Sequence, residues 1–384
     1  MFINFWYPAE WSEQLADQPL KRRMLGQDFV LFRDSGGTAR CMSNTCVHRG
    51  GSLAGGKIKG DCVECPYHGW QFDGEGRCHR IPSLGPDARI PGRVRVDAYP
   101  TEERYGIVFA FLGSLPEQER PPIMDIPEYG QPGWHVTRQE FPGGADFRRQ
   151  LENSLDPAHN EFVHPTHGFS GARADYRVPE LKLEDAEWGS GFMTTYFSPP
   201  LKDEKMKYAS GRAEDAVIEA GTFHHGPCTL CTRIHPTSEV FIHQHAFKVP
   251  IDENQVRTFL VQTRNFLLGA EHDERFYERN KVVQSQDAEV LGDLNPELTP
   301  ESNNHELLMP ADQAVARYRE KLLEWETRGW RIDADTVERQ RKSVAYAIPS
   351  PARLEHPKGW VLDAVPTLPG GAARVGRIGA GASA

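Results

Sequence analysis

Positive charge is scarce in this sequence, and nowhere does it gather. The 384 residues carry 44 Lys and Arg against 54 Asp and Glu, a formal net charge of −10. No basic run is longer than Lys21-Arg22-Arg23, so nucleic acid is not an expected partner. Long apolar runs are also missing. The most apolar stretch, Ile107–Leu112, is far shorter than the ~20 residues a membrane-spanning helix needs. The opening MFINFWYPAEW lacks a basic segment followed by an apolar core, so no signal peptide is expected and the chain reads as cytoplasmic. Cysteines are few: seven, at 41, 46, 62, 65, 78, 228 and 231. An odd number without a secretory signal excludes a disulfide framework and points to metal ligands and buried thiols. The one glycine pattern of dinucleotide type, Gly376-Arg-Ile-Gly-Ala-Gly381, has no helix after it, so no NAD or flavin site is expected.

What is present suffices for a core: 39% of residues are hydrophobic and 10% aromatic. The length exceeds the ~100–200 residues of one domain, which predicts two. Residues 1–115 look β-rich. Asp28–Arg33 and Ala39–Ser43 flank a Gly-Gly turn as a hairpin, and Gly106–Leu112 reads as a buried strand. Four prolines between Leu115 and Glu128 mark a linker. Beyond it, Phe147–His164 has helical spacing. Strand-like runs follow at Gly191–Phe197, Ala216–Phe223, Thr229–His235, Val240–Val249 and Gln255–Leu267, with Pro236–Glu239 as a turn. Helical stretches at His272–Leu291 and Pro310–Arg328 close the domain. The expected class is α+β: an all-β first domain over 1–115, then a catalytic domain over 116–367 with a helix-flanked antiparallel sheet of helix-grip type. Residues 368–384 read as a flexible tail.

Two short clusters carry the chemistry. The first is Cys46-x-His48, then sixteen residues, then Cys65-x-x-His68. Two thiolates on one iron and two neutral imidazoles on the other describe a [2Fe–2S] centre of raised reduction potential. The glycines between allow two loops to fold tightly around it. A zinc site drawn from Cys46, His48, Cys62, Cys65 and His68 competes, since Cys62-x-x-Cys65 has zinc-like spacing. The flanking Pro66-Tyr67-His68-Gly69-Trp70 favours the Rieske pattern, which leaves Cys62 a bystander.

The second cluster is Asp156-x-x-His159-x-x-x-x-His164. Asp156 and His159 share a helix face, whereas His159 and His164 are ~140° from alignment on an ideal helix. Both histidines meet one ion only if the helix loosens or ends between them, and Pro157 and Pro165 supply that distortion. Taken alone, two histidines near a helix end are more often structural than metal ligands. Asp156 is placed to accept a ring N–H from His159, or else to start a helix.

With both motifs in this order, the chain resembles the Rieske non-heme iron oxygenases, in particular the large (α) subunits of the ring-hydroxylating and O-demethylating group that works without a β subunit. The resemblance implies a [2Fe–2S] cluster on Cys46, His48, Cys65 and His68. It also implies an Fe(II) held by His159, His164 and a downstream carboxylate, with O₂ as co-substrate. Asp287 sits where the family's aspartate lies, with Glu289 and Asp293 as rivals, and Asn153 resembles an asparagine found beside the metal. A homotrimer is implied, in which Asp156 bridges to a neighbour's His68. An external NAD(P)H-dependent reductase, with or without a ferredoxin, would feed electrons. The activity implied is hydroxylation or dealkylation of a small apolar, aromatic or polycyclic substrate.

Two other classes stay open on the sequence, a Rieske electron carrier and a zinc-binding structural protein. Cys228 and Cys231 read as packed thiols. On Val240–Val249, Phe241, His243, His245 and Phe247 alternate onto one face. They line a substrate pocket, with Phe162, Phe169 and Phe223 as further wall, or they are core histidines.

Overall fold

The computed structural model describes residues 1–165, 167–197, 208, 217–301 and 303–371. The glycine pattern at 376–381 and most of the expected tail lie outside them. The chain divides into two compact units. One comprises Met1–Ile123, Val249–Asp252 and Trp325–Gly370, the other Met124–Lys248 and Glu253–Glu324.

The N-terminal part of the first unit, up to Ile123, holds eleven strands: β1 (Phe5–Trp11), β2 (Leu20–Met24), β3 (Gln27–Arg33), β4 (Ala39–Ser43), β5 (Lys57–Lys59), β6 (Cys62–Glu64), β7 (Gln71–Asp73), β8 (Cys78–Arg80), β9 (Ala98–Tyr99), β10 (Thr101–Arg104) and β11 (Ile107–Leu112). They form sheets in the orders β1-β11-β10, β2-β3-β4-β9 and β5-β6-β7-β8. The expected hairpin is β3–β4, antiparallel from Phe29 opposite Ser43 to Arg33 opposite Ala39. Its turn is closed by Asp34, whose Oδ1 accepts from the Gly36 and Thr38 amides at 3.0 and 2.9 Å. All six residues of β11 are buried, as its unbroken apolar run demands.

The expected boundary at 115 and the continuous catalytic domain over 116–367 need correcting, because residues 325–370 fold with the N-terminal strands. Trp325, 1% exposed, meets the Phe5 ring edge-on at 4.8 Å and the Phe2 ring at 6.3 Å. Arg353 pairs with buried Asp97 through Nε and Nη2 at 2.8 and 2.7 Å, and the Ser350 amide donates to the same carboxylate. Truncating Trp325 to Ala empties the space of the largest fully buried side chain. An expected loss of about 3–5 kcal/mol is to be read from chemical denaturation.

The second unit holds β12 (His135–Gly143), α1 (Phe147–Leu155), α2 (His159–Val163), β13 (Lys182–Ala186), β14 (Gly189–Phe197), β15 (Val217–His225), β16 (Thr229–His235), β17 (Ile242–Pro250), β18 (Val256–Arg264), α3 (Asp273–Leu291) and α4 (Gln313–Thr327, whose last turn passes into the first unit). Its sheet is ordered β12-β18-β17-β16-β15-β14-β13, with β12–β18 and each successive pair from β13 to β17 antiparallel. Helix α1 contacts β15, and α3 contacts β12, α1 and α2. The α+β class expected from the sequence is the class observed.

Local chemistry fixes α1 in place. Asp146 caps its start by accepting from the Arg148 amide at 2.7 Å. Glu152, 6% exposed, is clamped by Arg319 through Nε at 2.8 Å and Nη2 at 2.8 Å. An unpaired buried carboxylate would cost several kcal/mol, so this pairing holds the helix in register.

Candidate metal centres

In the first unit, Cys46 and Cys65 each open a tight knuckle of the same design. The Gly50 amide donates to the Cys46 carbonyl at 2.9 Å and the Cys46 amide to the Gly51 carbonyl at 2.8 Å. In the second knuckle, Gly69 donates to Cys65 at 3.0 Å and Cys65 to Trp70 at 2.7 Å. Each turn closes through a left-handed residue, Gly50 at φ 71° and Gly69 at φ 70°, where a side chain would be strained. A Cβ on Gly51 would lie 3.1 Å from Cys65 Sγ, so the space beside the sulfur is reserved.

Both thiols are buried at 2% exposure, while His48 and His68 are exposed with their Nδ1 atoms 3.1 Å apart. The His48 ring stacks on Trp70 at 4.4 Å and 5°. Burial pushes the Cys46 thiol up to about 12, a cost that a bound cation removes. These four side chains fit a cluster with its cysteine end in the core and its histidine end at the surface. Cys62 is held in β6 between Lys59 and Asp73 and is absent from the core that contains Cys46 and Cys65.

In the second unit, α1 ends at Leu155 and the chain breaks at Asp156-Pro157-Ala158 before α2 begins on His159. Helix α2 ends at Val163, and His164 is extended at φ −112° and ψ 96°. The helix thus stops between the two histidines, which cancels their angular mismatch. On α3, Asp287 completes the set: ligand atoms of His159, His164 and Asp287 all lie within 4.8 Å of one another. His159 Nε2 is 3.8 Å and His164 Nε2 3.2 Å from Asp287 Oδ1.

The far side of each ring is committed. His159 Nδ1 donates to the Asp156 carbonyl at 2.6 Å, and His164 Nδ1 faces Gln286 Oε1 at 2.9 Å. A neutral ring that donates from Nδ1 presents a bare lone pair at Nε2. Both Nε2 atoms converge on the Asp287 carboxylate, which together with Gln286 holds His164 above its ordinary range against burial, so a bound cation would take the place of that proton. Burial keeps His159 on the neutral side. Burial also opposes the charge on Asp287, but His164, His159 and the Asn153 amide outweigh it and hold the carboxyl below its ordinary range. Asn153 Nδ2 donates to Asp287 Oδ1 at 3.0 Å. The donor set fits a ferrous ion with open positions. Glu289 and Asp293 are both exposed and outside the set.

Asp156 differs from expectation. Its backbone carbonyl, not its carboxylate, receives the His159 ring. Carboxylate Oδ1 accepts the Ala158 amide at 2.7 Å and so caps the start of α2.

A cavity of about 190 Å³ opens beside the triad. Its wall includes Phe192, Ile218, Ala220, Ile234, Ile242 and Val283, with Thr222, Thr232 and Gln244 as polar points. The expected pocket residues are elsewhere. Phe223, His243 and His245 line a separate cavity, and the alternation of β17 explains it: Ile242 and Gln244 face the triad, so 243 and 245 face away. Phe162 is 60% exposed against Tyr176, and Phe169 lies beneath the Arg173 guanidinium at 5.6 Å.

Gln286 and His167 escaped the sequence reading. Gln286 immediately precedes Asp287, a position that signals nothing by itself. His167 meets His164 edge-on with ring centres 5.0 Å apart and faces Arg279 Nη2 at 3.2 Å. Burial pushes its pKa down to about 3, so it stays neutral.

Comparison with known proteins bears on both centres. Residues 5–100 match the Rieske [2Fe–2S] domain and residues 144–328 the vanillate O-demethylase oxygenase C-terminal domain. The chain is 34% identical over 175 residues to protein TIC 55 of Arabidopsis thaliana, covering 44% of this chain and 32% of that one. It is 28% identical over 223 residues to the 5,5′-dehydrodivanillate O-demethylase oxygenase subunit of Sphingobium sp., covering 55% and 50%. With the toluene-4-sulfonate monooxygenase system iron-sulfur subunit of Comamonas testosteroni the values are 33% over 216 residues, 56% and 60%. The chain thus spans roughly a third to three fifths of these curated relatives. Among solved structures, NdmA of Pseudomonas putida superposes with a TM-score of 0.69 at 23% identity, covering 85% of this chain and 91% of that one. Dicamba monooxygenase bound to dicamba gives 0.65 at 18%, covering 84% and 96%. At such identities the likeness is one of fold.

Proposed function

Because the chain belongs to the Rieske oxygenases through both of its domains, we propose that it is the terminal oxygenase of a multicomponent system, hydroxylating or dealkylating a small apolar, aromatic or polycyclic substrate. The observation that carries this reading is the convergence of His159, His164 and Asp287 beside a partly apolar cavity. When bound, the cluster supplies electrons singly and the ferrous ion supplies a site for O₂ next to the substrate.

The chain's own residues do the positioning. The Asp156 carbonyl and Gln286 hold the two rings with Nε2 inward, and Asn153 fixes Asp287 Oδ1. Phe192, Ile218, Ile234 and Ile242 take the apolar body of the substrate and exclude water, while Thr222, Thr232 and Gln244 orient it. Electrons come from a separate reductase, with or without a ferredoxin. Among the described residues no helix is long and apolar enough to cross a membrane.

The test is turnover with NAD(P)H, a surrogate reductase and isotopically labelled O₂ across a set of aromatic and alkyl ethers. Label in the product supports an oxygenase. Cluster oxidation without product from any of them would leave an electron carrier.

The assembly proposed is a homotrimer in which Asp156 links its own metal site to His68 of a neighbouring copy. What supports this is the place of Asp156 between helices α1 and α2, three residues before the triad histidine His159. Asp156→Asn is expected to keep both metals and the trimer but lose most electron transfer from cluster to iron. Rapid mixing of prereduced protein with substrate and O₂ reads this. Unchanged cluster oxidation would leave Asp156 as a cap of α2.

A further inference from the structure

The seven-stranded sheet has a second face with unassigned chemistry. There β16 and β17 set His235 and His243 side by side, with Nε2 of one 3.1 Å from Nε2 of the other. They line a cavity of about 510 Å³ that shares no residue with the one beside the triad. His243 Nδ1 faces Glu128 Oε1 at 2.7 Å, and His235 Nδ1 faces Glu219 Oε2 at 3.9 Å.

His243 thus has a hydrogen-bonding carboxylate behind it, whereas Glu219, which also pairs with Lys182 at 3.5 Å, is a charged neighbour of His235 beyond hydrogen-bond distance. If both Nδ1 atoms carry the proton toward their carboxylates, both Nε2 atoms present lone pairs to the same point. Metal-ligating histidines are backed by carboxylates in this way. The separation also fits one ion: at the usual ~2.0–2.1 Å metal–nitrogen distance, 3.1 Å between nitrogens gives an angle of roughly 100°, between the octahedral and tetrahedral values.

We infer that His235 and His243 hold one divalent transition-metal ion, of the zinc, cobalt or nickel kind, on the sheet face opposite the triad. Among the described residues no third His, Cys, Asp or Glu brings a ligand atom within 4.8 Å of both nitrogens, so water fills the remaining positions. The surroundings suit a cation. Among the described residues Asp125, Glu128, Glu184 and Asp185 line the cavity, Asp185 paired with Arg317, and the Arg233 guanidinium, over the Phe223 ring at 4.5 Å, offsets part of their charge at His235. Bound there, the ion ties the segment at Glu128 to β16 and β17.

The probe is Zn(II), titrated calorimetrically into holoprotein whose cluster and triad iron are loaded, with metal content checked by elemental analysis. Wild type should take up one zinc per chain that His235→Ala and His243→Ala both lose. Glu128→Gln should weaken this zinc by about 10-fold or more, as loss of a carboxylate behind a ligating histidine does. The cluster spectrum and iron content must be unchanged in each variant. Should an alanine variant fold poorly, His235→Gln or His243→Gln replaces it. Asp287→Ala identifies any zinc that has entered the triad instead. No zinc in wild type beyond that site, or uptake that survives either histidine variant, overturns the inference.

Discussion

Protein with Cys65→Ala is expected to be purified without its visible chromophore and without the rhombic EPR signal of the reduced cluster, whereas Cys62→Ala keeps both. The two cysteines are three residues apart, and zinc-like spacing would have them share a metal. Their surroundings differ. Cys65 is 2% exposed at the head of a knuckle whose counterpart is headed by Cys46, and both sulfurs lie in one core cluster. Cys62 is half-buried in β6 opposite Asp73. Burial, Asp73 and Asp61 push its thiol up to about 11, as burial does for Cys46, so what separates the two is place and not acidity. The wild-type potential should lie within about −150 to +300 mV, the span of centres with two histidine ligands. Loss of colour in Cys62→Ala with retention in Cys65→Ala would assign the ligands to a different set.

The second large effect concerns Asp287→Ala. It should abolish turnover and weaken mononuclear iron at least about 100-fold, since groups that only orient a ligand already cost 10–100-fold. The cluster spectrum should be untouched. Asp287 is the only anionic member of the triad, and without it two neutral imidazoles would face the ion. Glu289→Ala, on the exposed face of α3, should be silent. Iron retained in Asp287→Ala and lost in Glu289→Ala would move the role to Glu289.

What the sequence disclosed follows from the range of the forces involved. Ligand spacing is local, so Cys46, His48, Cys65 and His68 and the pair His159 and His164 stood out, as did the helix end between the latter. Interior strands β14–β18 announced themselves by apolar alternation. The sheet's two edges did not: β12 carries Pro142 and β13 reads Lys-Leu-Glu-Asp-Ala, the polar character that protects an edge from pairing. Which face of β17 meets the triad stayed open, because a period of two leaves both faces equivalent until the helices cover one of them. The return of residues 325–370 to the N-terminal strands was likewise illegible, since Trp325 and Phe5 are partners only in three dimensions. Asp287, more than a hundred residues from His164, came from family resemblance; spacing could not have supplied it.

Iron, acid-labile sulfide and zinc determined on one fully metallated preparation test directly whether one chain holds both a two-iron cluster and a separate mononuclear iron. About three irons and two sulfides per chain are expected, falling to about two irons with the sulfide unchanged in Asp287→Ala. Zinc at the cysteine–histidine site, with no sulfide, would contradict this.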